Sequence, residues 1–393
     1  MKLKEQPEDF HVEELTDVKP AEQGPFALYR LEKRGWGTPD AIQAIRRRWK
    51  LEPRRLSYGG LKDRHAHTVQ YFTVFHGPQR NLTHQGVSVE YLGQVVAAYT
   101  SKDIRANRFQ ITLRALQPEE ALTAQHVVEA LRLDGVPNYF DDQRFGSVGE
   151  KREFVARLMV LGRYEDALRL ALAAPYAYDR ASQKQEKAIL RTCWGDWPLC
   201  QERLPRGHAR RLVNYLVRHP DDFRGALARL WPELRTLYMS AYQSHLWNRM
   251  LARWIEQVCR PDQIVQVRLR LGMLPMHRVL DENQRAILVG SQLPLPSARL
   301  KIEPSDARLA LIESVLAEEG LKLDELKLKG FREMYFSKGE RAALCLPAHF
   351  QYEVGVDERH AGRQKLVLAF ELPRGSYASL IVKRVQAAVK ELP

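Results

Sequence analysis

Cysteine is scarce in this chain. Its 393 residues hold four, Cys193, Cys200, Cys259 and Cys345, with no CxxC pair. Such scattering argues against a zinc site or a disulfide framework and fits a reducing cytoplasm. No run of about 18 apolar residues occurs, so no membrane-spanning helix is expected. The opening MKLKEQPEDF lacks the apolar core of a secretory leader. Neither GxxxxGKS/T nor GxGxxG is present, which leaves a nucleotide cofactor without support. Repeats of solenoid period and low-complexity tracts are missing too. Acidic residues are also in deficit: 48 Asp and Glu face 61 Lys and Arg, a formal charge of +13. That excess favours a polyanionic partner, nucleic acid first, over a merely basic soluble enzyme.

The length suggests two or three units at roughly 150 residues per domain. The first part alternates strands and helices. FHVEEL, FALYRLEKRG, TVQYFTVF and NRFQITLR read as strands, with Phe109, Ile111 and Leu113 facing inward. TPDAIQAIRRRWK reads as a helix capped by Thr38 with Pro39 in its first turn, and another helix is expected over 123–133. From about 150 to 330 the periods turn helical, in EKREFVARLMVLG, YEDALRLALAA, ARRLVNYLVRH and DDFRGALARLW. In TLYMSAYQSHLWNRMLARWIEQV, Tyr238, Tyr242, Leu246, Met250 and Trp254 recur every four residues, as expected of a helix buried in that region's core. After about 340 strands return, in RAALCLPAHFQYEVGV and KLVLAFELPRG, followed by a last helix with Ser376 as cap. Strand-rich ends around a helical middle predict an α+β domain interrupted by an insertion.

The stretch SYGGLKDRHAHTVQ places Asp63 between Lys62 and Arg64 after a Gly-Gly pair. A solvated turn has this composition, and so does a catalytic carboxylate in a basic cleft. The segments YGGLKDRHAHTVQYF, VPNYFDDQRFG and FELPRGSYASLIVKR, in that order, resemble the TruD-type tRNA pseudouridine synthases. LKEQPEDFHVEEL and SAYQSHLWNRM are similar to further segments of that family, so the likeness runs from about residue 3 to 385.

The resemblance implies a pseudouridine-synthase-like catalytic domain with an antiparallel sheet, here 1–152 and 338–393, interrupted by a helix-rich TRUD-type insert, 153–337. It implies uridine-to-pseudouridine conversion in tRNA, typically at uridine 13 of the D arm, with Asp63 as the catalytic aspartate. It sets Phe140 and Asn138 against the target uracil and Lys4 near the aspartate. Two positions depart from the family pattern. Gly59 stands where alanine is common, and Lys383-Arg384 stands where Arg-Glu is usual, so an ion pair there is not carried over.

Breaking C1′–N1 and joining C5 to C1′ transfers no electron or group to another molecule, so no cofactor is expected. Ionised Asp63 could attack C1′ or the base, or take a proton from C2′; all three need the anion. Cations favour that form, and Lys4 is the better partner because neighbours at i±1 can diverge. Asn138 can hold a loop or read a base edge. Phe140 can stack on an extruded base or anchor a turn.

Lys62, Arg64 and Arg144 are candidate RNA-backbone contacts. Arg46, Arg47, Arg48, Lys50, Arg54 and Arg55 form one basic cluster, and Arg206, Arg210 and Arg211 another. His65 and His67 suggest no metal site, because no third ligand is near. A non-enzymatic tRNA-binding or RNA-folding factor and a nuclease using Asp141 and Asp142 are the competing readings. The expected partner is tRNA, with no membrane, and the expected state is a cytoplasmic monomer.

Overall fold

The computed structural model describes residues 1–149, 151–176, 179–331 and 334–392. The chain divides into two compact units. One comprises Met1–Pro137, His277–Leu280 and Leu344–Pro393, and the other Asn138–Met276 and Asp281–Ala343. The crossings at 137/138 and 343/344 differ from the 152/153 and 337/338 read from sequence. The Asn138–Gly146 stretch carries no period to assign it, yet its hydrogen bonds lie within the second unit: Asn138 N–H donates to the Ala343 carbonyl at 2.8 Å. The short His277–Leu280 stretch belongs to the first unit, where Leu280 N–H donates to Asp134 at 2.9 Å.

The first unit is built on ten strands: β1 (Lys2–Leu3), β2 (Phe10–Thr16), β3 (Phe26–Arg34), β4 (Leu56–Tyr58), β5 (His67–Phe75), β6 (Leu82–His84), β7 (Val87–Val95), β8 (Ile104–Leu116), β9 (Ala348–Val356) and β10 (Gln364–Pro373). They form one sheet in the order β9-β10-β8-β2-β5-β3-β7-β6, with β1 added on β8 and β4 on β5. β2 and β5 run parallel, His11 opposite His67; the other pairs are antiparallel. This mixed α/β architecture with a largely antiparallel sheet is the expected class. Phe109, Ile111 and Leu113 are buried as their alternation requires.

β7 alternates over its first half, buried Val87 and Val89 against exposed Ser88 and Glu90, until Gly93 interrupts the period. That residue sits at φ 139°, where the β3–β7 register shifts and a Cβ would lie 2.8 Å from Pro20 Cβ.

The helix Thr38–Trp49 buries Ala41, Ile42, Ile45 and Trp49 against Tyr29 and Phe72 of the sheet. Its cap is Gly37, not Thr38; Thr38 is fully buried and its hydroxyl serves another loop. The helix expected over 123–133 starts earlier, spanning Pro118–Asp134, because Pro118 opens it and the Glu120 carboxylate accepts Gln117 N–H. The last helix, Ala378–Lys390, is preceded by Tyr377 as cap rather than Ser376.

The second unit is mainly helical, with a hairpin of Ile264–Leu269 and Gly272–His277 and a pairing of Gln292–Pro294 with Glu340–Ala342. Its long helix Pro232–Val258 buries Tyr242, Leu246, Trp247, Met250 and Leu251, so the four-residue recurrence is core, with Tyr238 and Trp254 only partly covered. Cys193 and Cys200 form a disulfide, Cα atoms 5.5 Å apart, between the end of Ala181–Thr192 and Trp197–Arg203. This corrects the expectation of no disulfide: a separation of seven has no motif signature, and two helix ends bring the thiols together. Among the described residues no helix is long and apolar enough to cross a membrane.

Candidate active site

Residues 59–66 link β4 to β5 and carry Asp63, and three fully buried polar side chains hold the loop's main chain. Gln70 donates Nε2–H to the Gly60 carbonyl at 3.2 Å. Thr38 Oγ1 accepts Lys62 N–H at 2.9 Å and donates to Gln70 Oε1 at 2.8 Å. Lys33 Nζ donates to the carbonyls of Asp63, at 2.8 Å, and Trp36, at 2.6 Å. Leaving any of these buried groups unpaired costs about 1–3 kcal/mol, so the loop is tied to one conformation. Gly59 fits the same packing. A Cβ there would lie 2.6 Å from Ile104 Cδ1 and 3.1 Å from the Thr100 carbonyl oxygen, so an alanine at this position needs Ile104 to move.

The Asp63 carboxylate is ion-paired with Lys4 Nζ and accepts His65 N–H at 3.1 Å. Lys4 reaches it from a left-handed backbone, φ 54°, with its ammonium 4.0 Å from the Phe10 ring centre. Partial burial pushes the carboxyl pKa up, but the Lys4 hydrogen bond and charge, with the His65 N–H, outweigh it and hold the group below its ordinary value. Asp63 is therefore anionic at neutral pH and still open to solvent, its side chain 23% exposed.

Its sequence neighbours diverge. Lys62 Nζ pairs with Glu14 at 2.8 Å and donates to Asn107, while the fully buried Glu14 also accepts the Tyr99 hydroxyl at 2.8 Å. Arg64 is exposed. His65 is exposed, and His67 is turned to Glu32, at 2.9 Å, and to the His11 ring. Among the described residues no group of three or more His, Cys, Asp or Glu is placed to hold a metal.

Lys33 was not singled out from the sequence. The signal is present: Tyr29, Leu31 and Lys33 alternate with outward residues on β3, so the periodicity buries the lysine. Burial pushes its pKa down to about 8, against the pull of the Asp63 charge.

In the second unit, Asn138 and Phe140 occupy an irregular turn. Arg341 donates to the Asn138 carbonyl, at 2.8 Å, and to its Oδ1, at 2.6 Å, while Asn138 Nδ2–H donates to the Ala342 carbonyl at 3.1 Å. The amide thus holds the turn. Asn248 pairs reciprocally with the Phe140 main chain, accepting N–H and donating to the carbonyl, both at 2.8 Å. Trp247 meets the Phe140 ring edge-on at 5.5 Å. The Arg341 guanidinium lies 4.3 Å from that ring centre and Arg144 5.2 Å. Sequence reading quoted SAYQSHLWNRM without giving Trp247 or Asn248 a role, and it passed over Arg341. The Phe140 ring is thus buried, 8% exposed, with two planar cations packed near it.

Arg384 is buried in the first unit and donates Nε–H to the His277 carbonyl at 3.2 Å; burial pushes its pKa down to about 10.

Comparison with known proteins gives these sites a family. The sequence pattern of "tRNA pseudouridine synthase D (TruD)" matches residues 1–385. The chain is 32% identical over 399 residues to "Probable tRNA pseudouridine synthase D 2" of Methanocaldococcus jannaschii, covering 99% of this chain and 92% of that one. It is 26% identical to "tRNA pseudouridine synthase D" of Aquifex aeolicus, covering 98% of each. A crystal structure of the Methanosarcina mazei protein superposes with a TM-score of 0.70 at 29% identity, covering 98% of this chain and 93% of that chain. The chain belongs to the tRNA pseudouridine synthase D family and is an isomerase of that class.

Proposed function

We propose that the chain isomerises uridine 13 in the D arm of tRNA with Asp63 as the catalytic carboxylate. The observation that carries this reading is the Lys4–Asp63 ion pair on a loop whose main chain is tied by Thr38, Gln70 and Lys33. The carboxylate is kept ionised, aimed and part-exposed, which suits a nucleophile or base and not a proton donor. The C1′–N1 bond breaks, the uracil turns over, C5 bonds to C1′, the C5 proton leaves to solvent, and N1 takes up a proton in its place. Electrons balance within the nucleoside, so the reaction needs no cofactor.

Lys4 holds Asp63 in its anionic form. Phe140 is buried beside Arg341 and Arg144, so an extruded base reaches its ring, for stacking worth roughly 1–3 kcal/mol, once these guanidiniums give way, and Asn138 shapes that turn. Arg64 and Arg144 are assigned to RNA phosphates. Lys62, already committed to Glu14, acts by anchoring the loop. The protein works on cytoplasmic tRNA as a monomer.

Mapping pseudouridine in total RNA with and without the protein tests the assignment. A protein-dependent signal at position 13 of tRNA, lost when that uridine is replaced by cytidine, is the expected result. Signals confined to other positions would refute the site.

A further inference from the structure

The second unit carries charge of one sign on a face not used above. Between Arg203 and Leu230 stand seven arginines, no lysine, and two acids, Asp221 and Asp222. The His208–Arg218 helix sorts this segment by face. Leu212, Val213 and Leu216 are fully buried, whereas Arg211, Asn214, Tyr215 and Arg218, at i, i+3, i+4 and i+7, share the other side.

With Arg229 and His219 these residues line an open groove of about 880 Å³. The groove is built rather than incidental. The Arg229 guanidinium lies 3.6 Å over the Tyr215 ring and donates to the Gly225 carbonyl at 2.8 Å, and Arg211 donates to the Arg229 carbonyl at 3.3 Å. The Asp222 carboxylate is already taken by the Tyr215 hydroxyl and by Gly225 N–H at the start of the Phe223–Ala228 helix. Among the described residues Arg211, Arg218 and Arg229 have no carboxylate ion-pair partner, so three guanidinium charges face the groove against the single Asp222 carboxylate at its Tyr215 side. Surfaces selected for solubility alone intersperse the two signs.

We infer that this groove is an RNA-binding site that takes the phosphodiester backbone of the substrate. The inference rests on the tRNA reading and adds a place where the RNA is gripped. Seven helical residues advance about 10 Å, enough to meet neighbouring phosphates along one strand. The flat Arg229–Tyr215 pair adds a surface on which an unpaired base can stack. Contacts of this kind set affinity and leave the chemical step alone.

The test compares the wild type with Arg211→Gln/Arg218→Gln and with Arg211→Lys/Arg218→Lys in tritium release from 5-tritiated tRNA at several salt concentrations. The expected result is a KM raised about tenfold by the glutamine pair, kcat within twofold, and a salt slope shallower by about 1–2. The lysine pair should stay near the wild type. Unchanged KM and salt slope in the glutamine pair would overturn the inference. Should that pair fail to fold, Arg218→Gln alone, at an exposed position, gives the same readout. If the wild type itself forms no pseudouridine, the tRNA reading fails separately. Filter binding of tRNA to the same proteins then still decides the groove: equal affinity refutes it.

Discussion

Lys4 and Lys33 act on Asp63 in different ways, one on its charge and one on its place. Lys4→Met removes the Lys4 hydrogen bond and charge that oppose the burial of Asp63, so its pKa should rise. The acid limb of the kcat/KM profile should move upward, with kcat reduced about tenfold or further; Lys4→Arg should restore most of it. An unmoved limb would show that the pair does not tune the catalyst.

Lys33 titrates near 8 because its amine is buried, well below the ordinary 10.5. In the window from about 8 to 10.5 the unfolded chain still binds a proton that the folded chain has released. Stability from this group therefore rises with pH there. Activity should do the opposite, falling as pH passes about 8 and the tie to the Asp63 carbonyl weakens. Lys33→Met should have low kcat, near-normal KM and no such limb. The nearness of Lys4 to Asp63, which the ion pair bears out, came from the family resemblance, and the divergence of adjacent residues favoured it over Lys62 and Arg64. The commitment of Lys62 to Glu14 was not legible in the sequence: Glu13 and Glu14 look alike until the sheet buries one of them.

At the level of elements, the long apolar periods were readable and the irregular joints were not. The strands around Phe10, Phe26, His67 and Ile104 follow their alternation, while β7 loses its period at the Gly93 bulge. The support of Phe140 by Asn248 and Arg341 joins residues about 100 and 200 apart, a pairing no local pattern announces. Asn248→Ala leaves the Phe140 N–H and carbonyl without this partner in a buried setting, so unfolding by denaturant should lose roughly 1–3 kcal/mol. Asn248→Asp keeps an acceptor but loses the donor and should lie between the two. The Cys193–Cys200 bridge closes a short loop, and removing it should cost about 2–3 kcal/mol. Thiol titration of the denatured, unreduced chain should count two thiols, not four.

For the molecule as a whole, the +13 charge is a matter of partner rather than of fold. It is shared almost evenly between the two units; the second adds the arginine groove and the first the tied carboxylate loop. Composition indicated a polyanionic partner but could not say which arginines stay unneutralised, since that depends on where helices place the few acids. Binding to tRNA should weaken steadily with salt for the wild type and for Asp63 variants alike, because that carboxylate contributes no positive charge to the contact. The most direct measurement is tritium release from 5-tritiated tRNA by Asp63→Asn, beside its tRNA affinity. Release reduced at least about a thousandfold, with affinity within a few-fold of the wild type, is the predicted result, since the amide cannot serve as nucleophile or base. Release at the normal rate from a folded Asp63→Asn protein would place the chemistry on another residue.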